Sequence, residues 1–183
     1  PRNGGRLFAQ AGLAVHRDHG DFLLVSNGRV GTAGFGNHKH NDQLSFELHL
    51  AGQPLVVDPG SYVYTSDPAA RNRFRGTGFH NTLSVDDGEQ NELDPASLFR
   101  LQERARPQHL GCELTDGHFE YRGRHHGFAP VVHERWLRLL RGKRALLVVD
   151  RVRGEGTRRL RWHFHFAPGV TPSEASDGDL LLD

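Results

Sequence analysis

Apolar residues in this chain recur at every second position far more often than at the helical period of about 3.6, which is the signature of strands with one buried face. Leu44, Phe46, Leu48 and Leu50 alternate with Ser45, Glu47 and His49. A turn at 51–54 and the return Leu55-Val56-Val57 make this a hairpin ending at Asp58-Pro59-Gly60. Leu160, Trp162, Phe164 and Phe166 alternate with Arg159, Arg161, His163 and His165, the cleanest strand pattern in the chain. Further strands are expected over 7–15, 22–26, 82–85, 119–121, 131–140 and 145–149, with a short one at 180–182. Asn27-Gly28 and Arg141-Gly142-Lys143 are turn signals. Residues 94–105 fit either a helix opened by Asp94-Pro95 or a strand carrying Phe99 and Leu101. Residues 61–79 show no alternation and are expected to form a long polar loop, a kind of segment that is often functional. Many short strands with turn signals between them predict an all-β antiparallel sandwich or barrel, folded as one domain over 1–183.

Composition narrows the function. The formal net charge is +1, so there is no basic excess for nucleic acid. No apolar run approaches the roughly 20 residues of a membrane-spanning helix. A single cysteine, Cys112, excludes an internal disulfide framework and a Cys-rich zinc site. The chain starts at Pro1 and contains no methionine, which reads as a piece of a longer protein.

The chemistry concentrates between Asn37 and Thr82. His38 and His40 stand two apart, so on an extended backbone they share a face, about 6.5–7 Å apart. Asp58 follows the return strand of the hairpin, and His80 opens the next strand. Two histidines and a carboxylate with an open position form a zinc or iron pattern, with Asn41 and Asp42 available to orient an imidazole. Spacing alone leaves the choice of ligands open. Arg71, Arg73 and Arg75 form a basic cluster between Asp58 and His80, suited either to a solvated loop face or to an anionic ligand. The second His-x-His pair, His163 and His165, reads as the polar face of a strand, and Cys112 lacks a neighbouring base.

These motifs, in order, resemble the heparinase II/III-like family of polysaccharide lyases. The resemblance is carried by Asn37-His38-Lys39-His40-Asn41-Asp42-Gln43, Pro54-Leu55-Val56-Val57-Asp58-Pro59-Gly60-Ser61-Tyr62-Val63-Tyr64, Arg73-Phe74-Arg75-Gly76-Thr77 and His80-Asn81-Thr82, with His163 to Gly169 later in the chain. It implies a C-terminal antiparallel two-sheet β-sandwich of the supersandwich type, whose N-terminal α/α toroid is absent here. It implies cleavage of uronic-acid polysaccharides, such as heparan sulfate or alginate, by β-elimination. It further implies Zn2+ on His40, Asp58 and His80, and His38 facing the substrate cleft. Tyr64, or less readily Tyr62, would supply a phenol, and Arg75 would meet a substrate carboxylate. The expected partners are the acidic polysaccharide and the missing toroid, with neither nucleic acid nor membrane, and the setting is periplasmic or secreted. Two rival readings are a non-catalytic carbohydrate-binding or structural module with a structural metal, and a cupin-like enzyme. The latter lacks the expected Glu, because Leu44 and Ser45 occupy its positions.

Overall fold

A computed structural model describes residues 4–31, 36–174 and 180–182. Two antiparallel sheets face each other. The first has five strands in sequence order: β1 Gly4–Phe8, β2 Leu13–Asp18, β3 Asp21–Ser26, β4 Ser45–Leu50 and β5 Gln53–Val56. After β6 Leu83–Val85 come the four strands of the second sheet, β7 Gln108–Leu114, β8 His118–Phe128, β9 Val131–Leu140 and β10 Ala145–Arg153, paired in the order β10-β9-β8-β7. Short ladders join β11 Leu160–Trp162 to β6 and β12 Pro172–Glu174 to β13 Leu180–Leu182. The architecture is an antiparallel β-sandwich.

Its core is the product of the period-two pattern. Ala14, Leu23, Val25, Phe46, Leu48 and Val56 project from the first sheet against Phe119, Tyr121, Leu137 and Leu139 of the second, all buried. At about 25 cal/mol per Å² of apolar surface removed from water, this interlayer is the main stabilising contact. A smaller cluster, Leu83, Val85 and Val131, lies under Phe128, Val152 and Leu160.

The single strand expected over 7–15 is two strands, β1 and β2, hinged at Gly12, whose φ of +73° suits glycine. Residues 61–79 are not a bare loop: they hold a helix, α1 Pro68–Phe74, and a 3₁₀ turn at Thr77–Phe79. Asp67 caps α1 by accepting from Ala70 N at 2.9 Å, with Pro68 in the first turn. Residues 94–105 form neither helix nor strand; Leu101 makes an isolated bridge with Leu93. The expected strand at 119–121 extends to β8, and β7 was not anticipated.

The 160–166 segment is shorter as a ladder than its alternation suggests, because it changes partners midway. Its first part pairs with β6; then His163 N donates to Thr82 O, and Val57 N donates to His165 O. Phe166 bridges Val56 of the first sheet. This crossing strand ties β6 to the end of β5, the place where Asp58 and His80 emerge. It also leaves Trp162 and Phe164 partly in solvent, at 46% and 41% exposure.

Candidate functional site

Asp58 leaves the end of β5, and His80 leaves the 3₁₀ turn just before β6. The crossing strand holds the two ends side by side, and the side chains meet: Asp58 Oδ2 and His80 Nδ1 are 2.6 Å apart. The His40 ring lies against His80, with centroids 5.2 Å apart. All three line one cavity of about 210 Å³, shared with Asp42, Glu47, Ser26 and Phe46.

The residues between them are locked. Asn81 is fully buried, and its amide nitrogen donates to Phe46 O and Val57 O at 2.9 and 3.0 Å. Its amide oxygen accepts from His165 N at 2.7 Å. Its backbone carbonyl takes a further bond from Arg135 Nη1. Asn41 is equally buried and is bonded through its side chain to Glu89 and Asn91. Asp42 accepts from Ser26 Oγ at 2.8 Å. The amides that bracket the histidines are therefore fixed by the core and the crossing strand.

Electrostatics separates the two imidazoles. Burial works against protonating His80, but the Asp58 hydrogen bond and the charges of Asp42 and Glu89 outweigh it and raise its pKa. Burial and the neighbouring His80 hold His40 down to about 4, so it is neutral at pH 7. Burial alone would raise Asp58; the contact with His80 reverses this and lowers it. The result is a hydrogen-bonded His80–Asp58 pair, in which protonation of the imidazole is favoured beyond its ordinary level, beside a neutral, lone-pair-bearing imidazole.

The donor types suit Zn2+, which takes imidazole nitrogen and carboxylate oxygen. His80 Nε2 is buried and has no hydrogen-bond partner among the described residues. In this structure Asp58 and His80 bond each other, and among the described residues no three His, Cys, Asp or Glu side chains converge as a metal-holding group.

Residues 37–42 form bends and irregular backbone rather than a strand, yet His38 and His40 line one open cavity together with Lys39 and Asp42. The exposed His38 ring also meets Tyr64 and Phe99 edge-on, each at 5.8 Å between centroids. Tyr64 is 53% exposed and stacks on Phe99. Tyr62 is more exposed and stacks on Phe74, away from this group.

Arg75 lies elsewhere than expected. It has no accessible surface, and its guanidinium donates to Asn72 Oδ1, Arg100 O, Asp94 O and Ser97 O. It fixes the 94–100 loop against α1, so its charge is not presented to a substrate carboxylate. Arg71, one helical turn earlier, is the cation near the aromatic group: its guanidinium sits 5.1 Å from the Tyr64 ring centre and 5.4 Å from that of Phe99. Sequence reasoning placed Arg71 in a basic cluster without choosing it, and Phe99 in an ambiguous segment.

With this geometry in hand, the comparisons with known proteins decide the family. The model of the family described as "Heparinase II/III-like, C-terminal" matches residues 1–182. The chain belongs to the heparinase II/III-like C-terminal family. This heparinase II/III-like domain is 26% identical over 145 residues to a heparin-sulfate lyase of Pedobacter heparinus, covering 74% of this chain and 19% of that protein. A heparan sulfate lyase structure from Pedobacter heparinus superposes with a TM-score of 0.76 at 21% identity, over 96% of this chain and 26% of the other. A heparinase III structure gives 0.74 at 22% identity, over 97% and 27%. At such identities the superpositions establish the fold. The heparinase II/III-like domain spans about a fifth of its curated relative and about a quarter of these solved chains.

Proposed function

We propose that this domain forms one wall of the active site of a polysaccharide lyase that cleaves uronate-containing glycosaminoglycans by β-elimination, the rest of the site being supplied by a separate α/α toroid of the same protein. The observation that carries the reading is the pairing of His38 with Tyr64. Two proton-transfer groups stand edge to edge on the exposed rim, and His38 lines one cavity with His40 of the partly buried His40–Asp58–His80 cluster. In β-elimination the proton on the carbon beside the uronate carboxyl leaves to a base. The C–O bond to the leaving sugar then breaks as a C=C bond forms, and an acid protonates the departing oxygen. An imidazole and a phenol on an open rim are suited to these two proton transfers.

His40, Asp58 and His80 are assigned to Zn2+. Bound there, the ion would supply a fixed positive charge at the edge of the cleft. His40, neutral at pH 7, needs no deprotonation to serve as a ligand. Heparin-like polymers are favoured over alginate, because the relatives of known name act on heparin or heparan sulfate. Such polymers lie outside the cytoplasm, so a periplasmic or secreted setting follows from the reading. No helix among the described residues is long and apolar enough to cross a membrane.

The test is the full-length, metal-loaded protein incubated with heparan sulfate and other uronate polymers, followed by the ultraviolet absorbance of the new C=C bond. A rise that vanishes in His38→Ala is expected. A folded, zinc-loaded protein that produces no absorbance on any polyuronate sinks the lyase reading and leaves the non-catalytic module.

A further inference from the structure

The basic cluster on α1 resolves into three different arginines. Arg73 is exposed, and Arg75 is buried with its guanidinium bonded to loop carbonyls. Arg71 is also fully buried, yet its Nε, Nη1 and Nη2 have no hydrogen-bond partner among the described residues. A guanidinium cannot shed its charge inside a protein, so burial without acceptors is an unusual state that calls for a partner. Tyr64 and Phe99 lie over the guanidinium at 5.1 and 5.4 Å. Such contacts satisfy its faces but leave the N–H edge, which lies in the plane of the group, without an acceptor. That planar edge matches two oxygens of one carboxylate or sulfate.

The cover over Arg71 is thin on one side. Tyr64 is more than half exposed and belongs to the irregular stretch between Gly60 and Asp67. Phe99 belongs to another segment without helix or ladder. His38 is edge-on to both rings. An anion seated at Arg71 would therefore lie next to His38 and Tyr64, at the rim assigned above to proton transfer.

We propose that Arg71 is the anion anchor of this site: its in-plane N–H edge takes two oxygens of a carboxylate or sulfate group when the Tyr64 ring swings aside. The sugar that bears the group is thereby held beside His38. The identity of the polymer rests on the lyase reading; the anion site does not.

The experiment uses small, uncleavable probes on the full-length protein: methyl glucuronoside, its uncharged analogue methyl glucoside, and inorganic sulfate. Binding is measured by calorimetry or ligand-detected NMR for wild type, Arg71→Gln and Arg71→Lys, alongside each variant's urea midpoint. Wild type is expected to prefer at least one anion over methyl glucoside by about 10- to 100-fold, the range for a charge-assisted pair. Preference for the glucuronoside identifies a carboxylate site; preference for sulfate identifies a sulfate site. Arg71→Gln is expected to bring the ratio to about one, and Arg71→Lys to keep part of it, with a weaker, single-point contact. Wild type that shows no anion preference overturns the anchor. So does Arg71→Gln with an unchanged ratio, whatever happens to its stability, since Arg71 would then serve packing alone. Arg71-dependent anion binding in a protein that cleaves no polyuronate removes the lyase reading and keeps the anchor. Cleavage with an unchanged ratio does the reverse.

Discussion

Asn81 gives the sharpest test of how the site is held. It follows His80 directly, and its side chain is the meeting point of three segments. It donates to Phe46 O on β4 and to Val57 O just after β5, and it accepts from His165 N on the crossing strand. All three bonds lie between 2.7 and 3.0 Å, and the side chain is inaccessible to water. Replacing it by alanine strands two carbonyls and one amide in the interior. Each stranded group costs about 1–3 kcal/mol, and one entering water recovers part of this. The expected loss is about 3–5 kcal/mol, a large share of the roughly 5–15 kcal/mol that holds a typical domain together. With a urea m-value of about 2 kcal/mol/M, the midpoint falls by about 1.5–2.5 M.

The assay is urea unfolding of the metal-stripped protein, followed by tryptophan fluorescence, so that zinc loss does not contribute. Amide hydrogen exchange adds a local reading: the His165 amide is expected to lose protection beyond the global change, because its acceptor is gone. Asn81→Asp keeps the acceptor for His165 but turns a carboxylate toward two carbonyl oxygens. It is expected to be at least as damaging as alanine at pH 7. A midpoint shift under about 0.5 M for Asn81→Ala, with His165 protection intact, would refute the claim that Asn81 ties the three segments.

His40→Ala is expected to lower bound zinc to near zero by elemental analysis, and unchanged metal content would remove His40 from the ligand set. Burial opposes ionisation of Asp150, but hydrogen bonds from His133 and Arg135 reverse this and hold its carboxyl well below the usual range. The stability it contributes is therefore complete above its ordinary value of 3.8 and is lost as pH falls below it. Asp150→Asn should cost about 3–5 kcal/mol at pH 7 by urea unfolding and show a flatter acid limb, whereas an unchanged limb would exclude Asp150 as its source. His38→Ala and Tyr64→Phe should each reduce kcat by about 10²–10⁴-fold with unaltered unfolding midpoints, since both rings sit at the surface. Arg75→Ala should lower Tm by several degrees, because the bonds to Ser97 and Arg100 carbonyls are lost; an unchanged Tm would contradict its assignment as a loop anchor.

The sequence was legible where one face of a strand is apolar and the other polar. The hairpin of β4 and β5 and the pair β9 and β10 were read correctly because Phe46, Leu48, Leu137 and Leu139 mark the inner face. It was illegible where the inner face is itself polar. β8 looked like a three-residue strand because its later inward positions are Gly123 and His125, which resemble a loop. Helix α1 was hidden because its buried residues are Ala70 and Arg71, followed by Arg75 just past its end, so no apolar stripe exists. The sequence offers a helix start at Asp94-Pro95, but the Asp-Pro pair that opens a helix is another one, inside the expected loop. Asp67-Pro68 opens α1, whereas at Asp94-Pro95 the side chain bonds Ala96 N and makes a turn. Within the site, the approach of Asp58 to His80 followed from the hairpin, but the position of Phe99 over Arg71 did not. It depends on a loop fixed by Arg75 and Asn91, contacts that no local pattern records.

The same polar interior explains why the site is rigid on one side and open on the other. Between the two apolar clusters lies a layer of buried ionisable groups. His125 bonds His133, His133 bonds Asp150, and Asp150 also takes bonds from Arg135 and Trp162. Replaced by apolar groups, such a layer is often as stable or more so, so stability alone is a poor reason for it. Its geometry gives a better one. The remaining Arg135 nitrogen, Nη1, reaches Asn81 O and Leu44 O, the residue after His80 and the residue before β4. An apolar residue at position 135 would fill the space but leave those two carbonyls unbonded. Arg135 thus fixes the backbone beside His80 and before β4, next to the partly buried cluster, and Asp150 holds Arg135 in place. No comparable network reaches the His38 and Tyr64 side chains: among the described residues they meet each other and Phe99 through ring contacts, with the Arg71 guanidinium on the Tyr64 and Phe99 rings, and it is the backbone around Phe99 that Arg75 anchors. A hydrogen-bonded inner half keeps Asp58 and His80 in register, and the Tyr64 ring, more than half exposed and held by ring contacts, is placed as the proposed entry of a polymer requires.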